Sequence, residues 1–333
     1  MDNVHIVAYS AKAYDQSFLE QAANQNTQFC YYEVALNPTT AALANGAPVV
    51  SAFVNDDLSQ QTLQILAQGG TVLIALRCAG FNNIDLNAAA DLGITVVNVP
   101  AYSPYAVAEH TLALMLALSR KLPRAYNRVR DGNFSLDGLL GFDFYQKKVG
   151  LIGGGRIGQL VGERLKAFGC IVSVADPNNT EACTALGFNV VNLDEVISQS
   201  DIISLHCPLV ADTKHIINAE TVAAMKPGVM LINTSRGGLL DTSAVLDALK
   251  AHHIAYLGVD VYEQEGSLFF EDHSSDIIQD DIFQRLLTLP NVLITGHQAY
   301  FTKEAIKHIS ETTVANITNF INGGVLTNQV KAR

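Results

Sequence analysis

The sequence predicts an α/β protein built as two doubly wound parallel-sheet domains, and three observations carry that reading. Short β-branched runs alternate with helical stretches in two successive series. The strand candidates are continuous apolar runs, the pattern of parallel strands covered on both faces. The chain has 333 residues, about two domains at roughly 150 residues each.

In the first series the strands are expected at His5–Tyr9, Phe29–Val34, Val49–Phe53, Val72–Arg77 and Thr95–Val99, with helices over Asp15–Asn24 and Leu58–Gln68. Ser103 and Pro104 then open a long helix, Ser as N-cap and Pro in the first turn. The second series has strands at Val149–Ile152, Ile171–Ala175, Ile202–Leu205, Met230–Asn233, Leu257–Asp260 and Val292–Thr295. Thr302–Ile321 reads as a last helix, with Gly323-Gly324 beyond its end. No Ser/Pro-rich linker separates the halves, so a ligand cleft is expected where they meet. The segment from Tyr262 to Pro290 is long and acidic, and most of its carboxylates are expected to be solvated.

Apolar residues make up 49% and charged residues 16%, which excludes a disordered chain. With 21 Lys plus Arg against 32 Asp plus Glu, the net charge is −11, and a nucleic-acid or membrane-surface partner is not expected. Five cysteines without a CxxC pair argue against a disulfide framework and against a metal site, and fit a reducing compartment. The start MDNVHIVAYS lacks a signal pattern, and the apolar stretch Ala106–Ser119 is too short to span a bilayer, so a cytoplasmic protein is expected.

Gly153, Gly155 and Gly158 form a GxGxxG that closes an apolar strand and opens a helix. Alone the pattern is weak, but Asp176 ends the next strand, 18 residues after Gly158. That is the full dinucleotide context. The pyrophosphate would rest on the helix N-terminus. Asp176 would accept from the ribose hydroxyls and repel a 2′-phosphate; Pro177, Asn178 and Asn179 supply no Arg, so NAD is expected rather than NADP.

The rest of a site should lie at the carboxyl ends of later strands. Cys207-Pro208, Thr234-Ser235-Arg236, Asp260 and His297 stand there, with Glu265 in the acidic segment. Singly, each has a bland reading as surface charge or structural residue. Together, Arg236, His297 and Glu265 supply a fork for a carboxylate, a proton donor for a carbonyl, and a partner for the charged ring.

On these residues the chain resembles the D-isomer-specific 2-hydroxyacid dehydrogenases, and within them the lactate branch. The motifs are Arg77–Asp85 (RCAGFNNID), Val107-Ala108-Glu109-His110, the glycine loop, Ser204–Leu209, Asn233–Gly238, Asp260–Glu263, Leu268–Asp272 and Gly296–Ala299. The resemblance covers nearly the whole chain. It implies a flavodoxin-like substrate domain, residues 1–101 plus 299–333, and a Rossmann NAD domain, residues 102–298. Arg236, Glu265 and His297 would be catalytic. Arg77, Cys78, Ala79, Gly80, Tyr102 and Tyr300 would join Arg236 and His297 around the substrate, the Cys78–Gly80 loop through its backbone N–H groups. Arg156, Ile157, Cys207, Pro208, Thr213, Thr234, Ser235, Arg236 and Asp260 would complete the cofactor site. Pyruvate reduction to D-lactate is the activity implied. A bulkier 2-hydroxy acid, or a non-catalytic dinucleotide-sensing scaffold, are the alternatives. An oligomer, dimer or tetramer, is expected. Tyr300 and Thr213 depart from residues common in relatives.

Overall fold

The computed structural model describes residues 4–25 and 27–332. The chain divides into two compact units, Met1–Ser103 with Phe301–Arg333, and Pro104–Tyr300. The divisions expected after residues 101 and 298 fall two residues earlier.

The first unit contains β1 (Val4–Ala8), α1 (Ala13–Ala22), β2 (Thr27–Tyr31), β3 (Val49–Ala52), α2 (Gln60–Gln68), β4 (Leu73–Leu76), α3 (Leu86–Asp91) and β5 (Thr95–Val97). Its sheet has the order β2-β1-β3-β4-β5, a flavodoxin-like winding. Successive residues serve opposite faces: Ile6 packs in one core cluster and Val7 in the other.

The second unit contains α4 (Pro104–Ser119), α5 (Leu122–Arg130), β6 (Lys148–Ile152), α6 (Arg156–Ala167), β7 (Ile171–Ala175), α7 (Thr180–Ala185), β8 (Asn189–Val190), α8 (Leu193–Gln199) and β9 (Ile202–Leu205). It continues through α9 (Ala219–Ala224), β10 (Val229–Asn233), α10 (Thr242–Lys250), β11 (Ile254–Val259), α11 (Asp281–Leu287) and β12 (Val292–Ile294). The strand order is β12-β11-β10-β9-β6-β7-β8, which reverses between β6 and β9, and the glycine loop leaves β6 at that switch point. Val229 and Leu231 of β10 face one core, Met230 and Ile232 the other. All strand pairs in both sheets are parallel. The chain then returns to the first unit as α12 (Lys303–Ile321), capped by the Thr302 hydroxyl, which accepts from Ala305 N.

Several strands end short of the expected limits. Arg77 and Asp260 lie just past β4 and β11, in the turns that follow. The acidic segment after Tyr262 is partly ordered secondary structure. It holds a 3-10 turn at Glu265–Ser267 and the helix α11, whose N-cap Asp280 accepts from Phe283 N. Tyr262, Phe269 and Phe283 pack into a small buried cluster that anchors it. Among the described residues, no helix is long and apolar enough to cross a membrane.

Candidate active site

The glycine loop joins β6 to α6. Gly153 has φ +104, and a Cβ there would lie 2.6 Å from Cys207 N, so only glycine fits. A Cβ on Gly158 would run into the Gly153 carbonyl; its absence lets α6 start against the strand end. In front of Gly155, the N-cap of α6, a Cβ would meet no protein atom within 4 Å. This is the open approach a pyrophosphate needs at a helix N-terminus.

Beside the loop is a cavity of about 580 Å³, walled by Val191, Leu193, Pro208, Val210 and Ile216, with Gly153, Asp176, Cys207 and Thr213 on its lining. Apolar walls with the Asp176 and Asp212 carboxylates on the lining suit an adenosine. Asp176 Oδ2 accepts from Gly154 N at 2.7 Å, and Oδ1 from the backbone of Asn178 and Asn179 at 2.7 and 2.9 Å. Partial burial pushes the Asp176 carboxyl up, but these hydrogen bonds outweigh it and hold the group below the ordinary carboxylate range. The negative charge facing the cavity is therefore firm. Burial pushes the Cys207 thiol up to about 11, so it lines the cavity as a neutral group. Thr213 closes the loop after Pro208, its hydroxyl donating to the Pro208 carbonyl at 2.6 Å and accepting from Val210 N at 2.9 Å. Arg156 lies over the Tyr105 ring and donates to its hydroxyl at 3.1 Å, while the half-buried Ile157 packs against the core.

The catalytic candidates sit on the carboxyl ends of β10, β11 and β12, neighbours in the sheet. Asn233 ends β10 with its side chain fully buried. It accepts from Ser235 N at 3.0 Å and donates to the Arg236 carbonyl at 2.8 Å, which shapes the loop presenting Arg236. Ser235 donates to the Cys207 carbonyl, tying that loop to the cavity wall. Arg236 is half-buried, its Nη1 donating to the Ser235 carbonyl at 2.7 Å.

His297 and Glu265 form a pair, Nδ1 to Oε1 at 2.9 Å, with side chains 16% and 22% exposed. The other Glu265 oxygen accepts from Tyr262 N at 2.9 Å. Both carboxylate oxygens are thus engaged, and Nε2 is the ring atom left for a substrate. The rings of Phe270 and Tyr300 flank His297, at 5.6 and 6.3 Å between centroids. His297 itself has φ +52, and its N–H reaches the Asp260 carbonyl at 2.7 Å.

Two expectations change. Asp260 was expected on the cofactor path, but it is fully buried and its carboxylate holds the loop behind His297, accepting from Thr295 Oγ1, Gln298 N and Ala299 N. Arg77 was expected at the substrate, but its side chain is 1% exposed. Its guanidinium is turned into the first unit, donating to Ser51 O at 3.1 Å and Tyr9 O at 2.7 Å. In the turn that follows, the carbonyls of Cys78, Ala79 and Gly80 are taken by Val99 N, Asn98 Nδ2 and the Cys78 thiol. Val191, Leu193, Val210 and Ile216 of the cavity wall were not singled out from sequence, and Asn233 and Asn179 were given no role there; an Asn two residues before Ser at a strand end is the one signal that could have marked the role of Asn233.

A pinned imidazole on the same sheet edge as a dinucleotide pocket is the equipment of a dehydrogenase. Comparison with known proteins narrows it. The family model "D-isomer specific 2-hydroxyacid dehydrogenase, NAD binding domain" matches residues 112–299. A 2-hydroxyacid dehydrogenase homolog of Haemophilus influenzae is 50% identical over 326 residues, 98% of each chain. A D-lactate dehydrogenase of Escherichia coli is 48% identical over 327 residues, 98% of this chain and 99% of that one. A solved structure of the pyruvate reductase of Chlamydomonas reinhardtii superposes with a TM-score of 0.92 at 45% identity, covering 98% of each chain. The chain belongs to the D-isomer-specific 2-hydroxyacid dehydrogenase family, and its cofactor is NAD.

Proposed function

We propose that the chain is an NAD-dependent D-lactate dehydrogenase that reduces pyruvate reversibly to D-lactate. The observation that carries this is the Glu265–His297 pair, which commits Nδ1 to the carboxylate and leaves Nε2 to deliver a proton. Bound NADH supplies the hydride. Arg236 holds the substrate carboxylate with its planar fork. The Cys78-Ala79-Gly80 backbone amides are assigned to the same carboxylate, and Tyr102 to the substrate's surroundings. His297 protonates the carbonyl oxygen as charge develops there, and Glu265 stabilises the imidazolium before transfer. The glycine loop, Thr234 and Ser235 are assigned to the cofactor. At Asp176, the Asn179 amide is shared between both carboxylate oxygens at 3.1 Å each, and it is the contact a ribose diol would displace.

Phe270 and Tyr300 crowd the proton donor, which favours a small keto acid over a branched or aromatic one. Names of relatives, a D-lactate dehydrogenase and a pyruvate reductase, support the same choice. Assay of NADH oxidation with pyruvate, 2-ketoisocaproate and phenylpyruvate tests it. Pyruvate should have the highest kcat/KM; a higher value for either bulkier acid, or no turnover at all, would overturn it. Self-association is part of the proposal. Phe134, Leu136 and Leu140 are 74%, 82% and 87% exposed in one stretch of the second unit, more apolar surface than a monomer favours. The cytoplasm is the proposed compartment, consistent with five free thiols.

A further inference from the structure

The Val107-Ala108-Glu109-His110 motif has no part in the chemistry above, yet it sits in the first two turns of α4. His110 Nε2 lies 2.9 Å from Thr295 Oγ1 and 3.4 Å from Asp260 Oδ1. Thr295 Oγ1 in turn donates to Asp260 Oδ1 at 2.5 Å. That bond uses the only hydroxyl proton of Thr295, so its oxygen must accept from His110, and Nε2 of His110 carries hydrogen. Asp260 is fully buried. Its two oxygens accept from Gln298 N at 2.9 Å and Ala299 N at 2.8 Å, the residues immediately after His297. The adjacent residue on α4 makes the matching contact to the other loop. Thr111 Oγ1 donates to Val107 O and sits 2.8 Å from Thr234 Oγ1, two residues before Arg236.

We propose that His110 is a positioning residue for the reaction: through Thr295 and Asp260 it fixes the loop that holds His297 in its left-handed backbone conformation, with Thr111 bracing the Arg236 loop from the next position. This rests on the function proposed above for His297. His110 touches neither substrate nor cofactor in this account. Without its N–H, Thr295 is free to turn its hydroxyl away, and the Asp260 carboxylate loses the partner that keeps it aimed at Gln298 and Ala299. The loop then samples orientations in which Nε2 of His297 is misplaced.

The test compares His110→Ala, His110→Gln and Thr295→Val with the unaltered protein. Gln can place an amide N–H where Nε2 stands, so it should rescue. In the ligand-free protein, amide exchange across residues 295–300 should quicken roughly five- to tenfold in His110→Ala and Thr295→Val, the size of one lost hydrogen bond, and stay near native in His110→Gln. With NADH and pyruvate, kcat should fall about tenfold or more in the first two variants while KM and NADH binding change less than about twofold. Native kcat and native exchange in His110→Ala would overturn the proposal. So would faster exchange spread evenly over the second unit, or a Gln variant as impaired as Ala. If the unaltered protein turned over no 2-keto acid, the functional reading would fail, while the exchange comparison would still decide whether His110 holds the loop.

Discussion

His297 occupies the left-handed region at φ +52, which costs about 1–2 kcal/mol for a residue with a side chain. Its N–H bond to the Asp260 carbonyl and its ring bond to Glu265 offset that cost. Glu265→Gln keeps the shape of the pair and removes its charge, so kcat for pyruvate reduction should fall about tenfold or more while NADH binding stays native. Steady-state kinetics with pyruvate and a direct NADH titration check this, and a variant with native kcat would uncouple Glu265 from the proton donor. At Asp176 the firm negative charge should make NADH strongly preferred over NADPH, and Asp176→Ala should narrow the gap; equal use of both by the unaltered protein would contradict it. The positions of Asp176, Arg236 and His297 just past strand ends were legible in the sequence from residue type after apolar runs, and Glu265 only as one carboxylate of the acidic segment. Arg77 and Asp260 stand at strand ends too. What reassigned them was burial, which depends on which way a turn folds its side chain, and no local pattern reports that.

At the scale of elements, the site depends on two turns lying backbone against backbone. A Cβ on Gly237 would collide with the carbonyl of Tyr262 and the amide of Glu263, so the Arg236 loop and the Glu265 segment meet only because residue 237 has no side chain. Gly237→Ala should therefore separate them. A fall in kcat/KM of about tenfold or more is expected, along with a lower Tm, since backbone on both sides must shift. A variant with native kcat/KM would show that the contact does not set the site. The longer strands and the helices α1, α2 and α12 followed from the apolar pattern, the start of α4 from the Ser103-Pro104 pair, and the end of α12 was marked by Gly323-Gly324; α5 and α10 were not expected. Nor were the two-residue strand β8 and the short helices α7, α9 and α11, because elements that short carry too few positions for a period to register. Acidic composition also hid α11, whose order comes from the Asp280 cap and from the packing of Tyr262 and Phe269 on Phe283.

At the scale of the whole molecule, the two units should answer acid differently. In the second unit, burial pushes Asp176 and Asp201 up but hydrogen bonds hold both below the ordinary range. Their stabilising contribution is complete above the unfolded value of about 3.9 and is lost as pH falls below it, through the folded values. In the first unit, burial raises the Asp15 carboxyl despite Arg77 nearby, so its protonation favours the fold as pH falls toward about 3.9. Amide exchange followed from pH 6 to pH 3 should show the β6–α6 and β7 region opening before the β1–α1 region; the reverse order would contradict the assignment. The winding of the second unit, with its reversal at the glycine loop, puts Asp176, Arg236 and His297 past the carboxyl ends of strands in one sheet, which is why these candidates could be picked from a few strand ends. Purified protein given pyruvate and NADH should consume both in equal amounts and yield lactate that is entirely the D isomer. L-lactate, a racemic product, or no lactate at all would contradict the account.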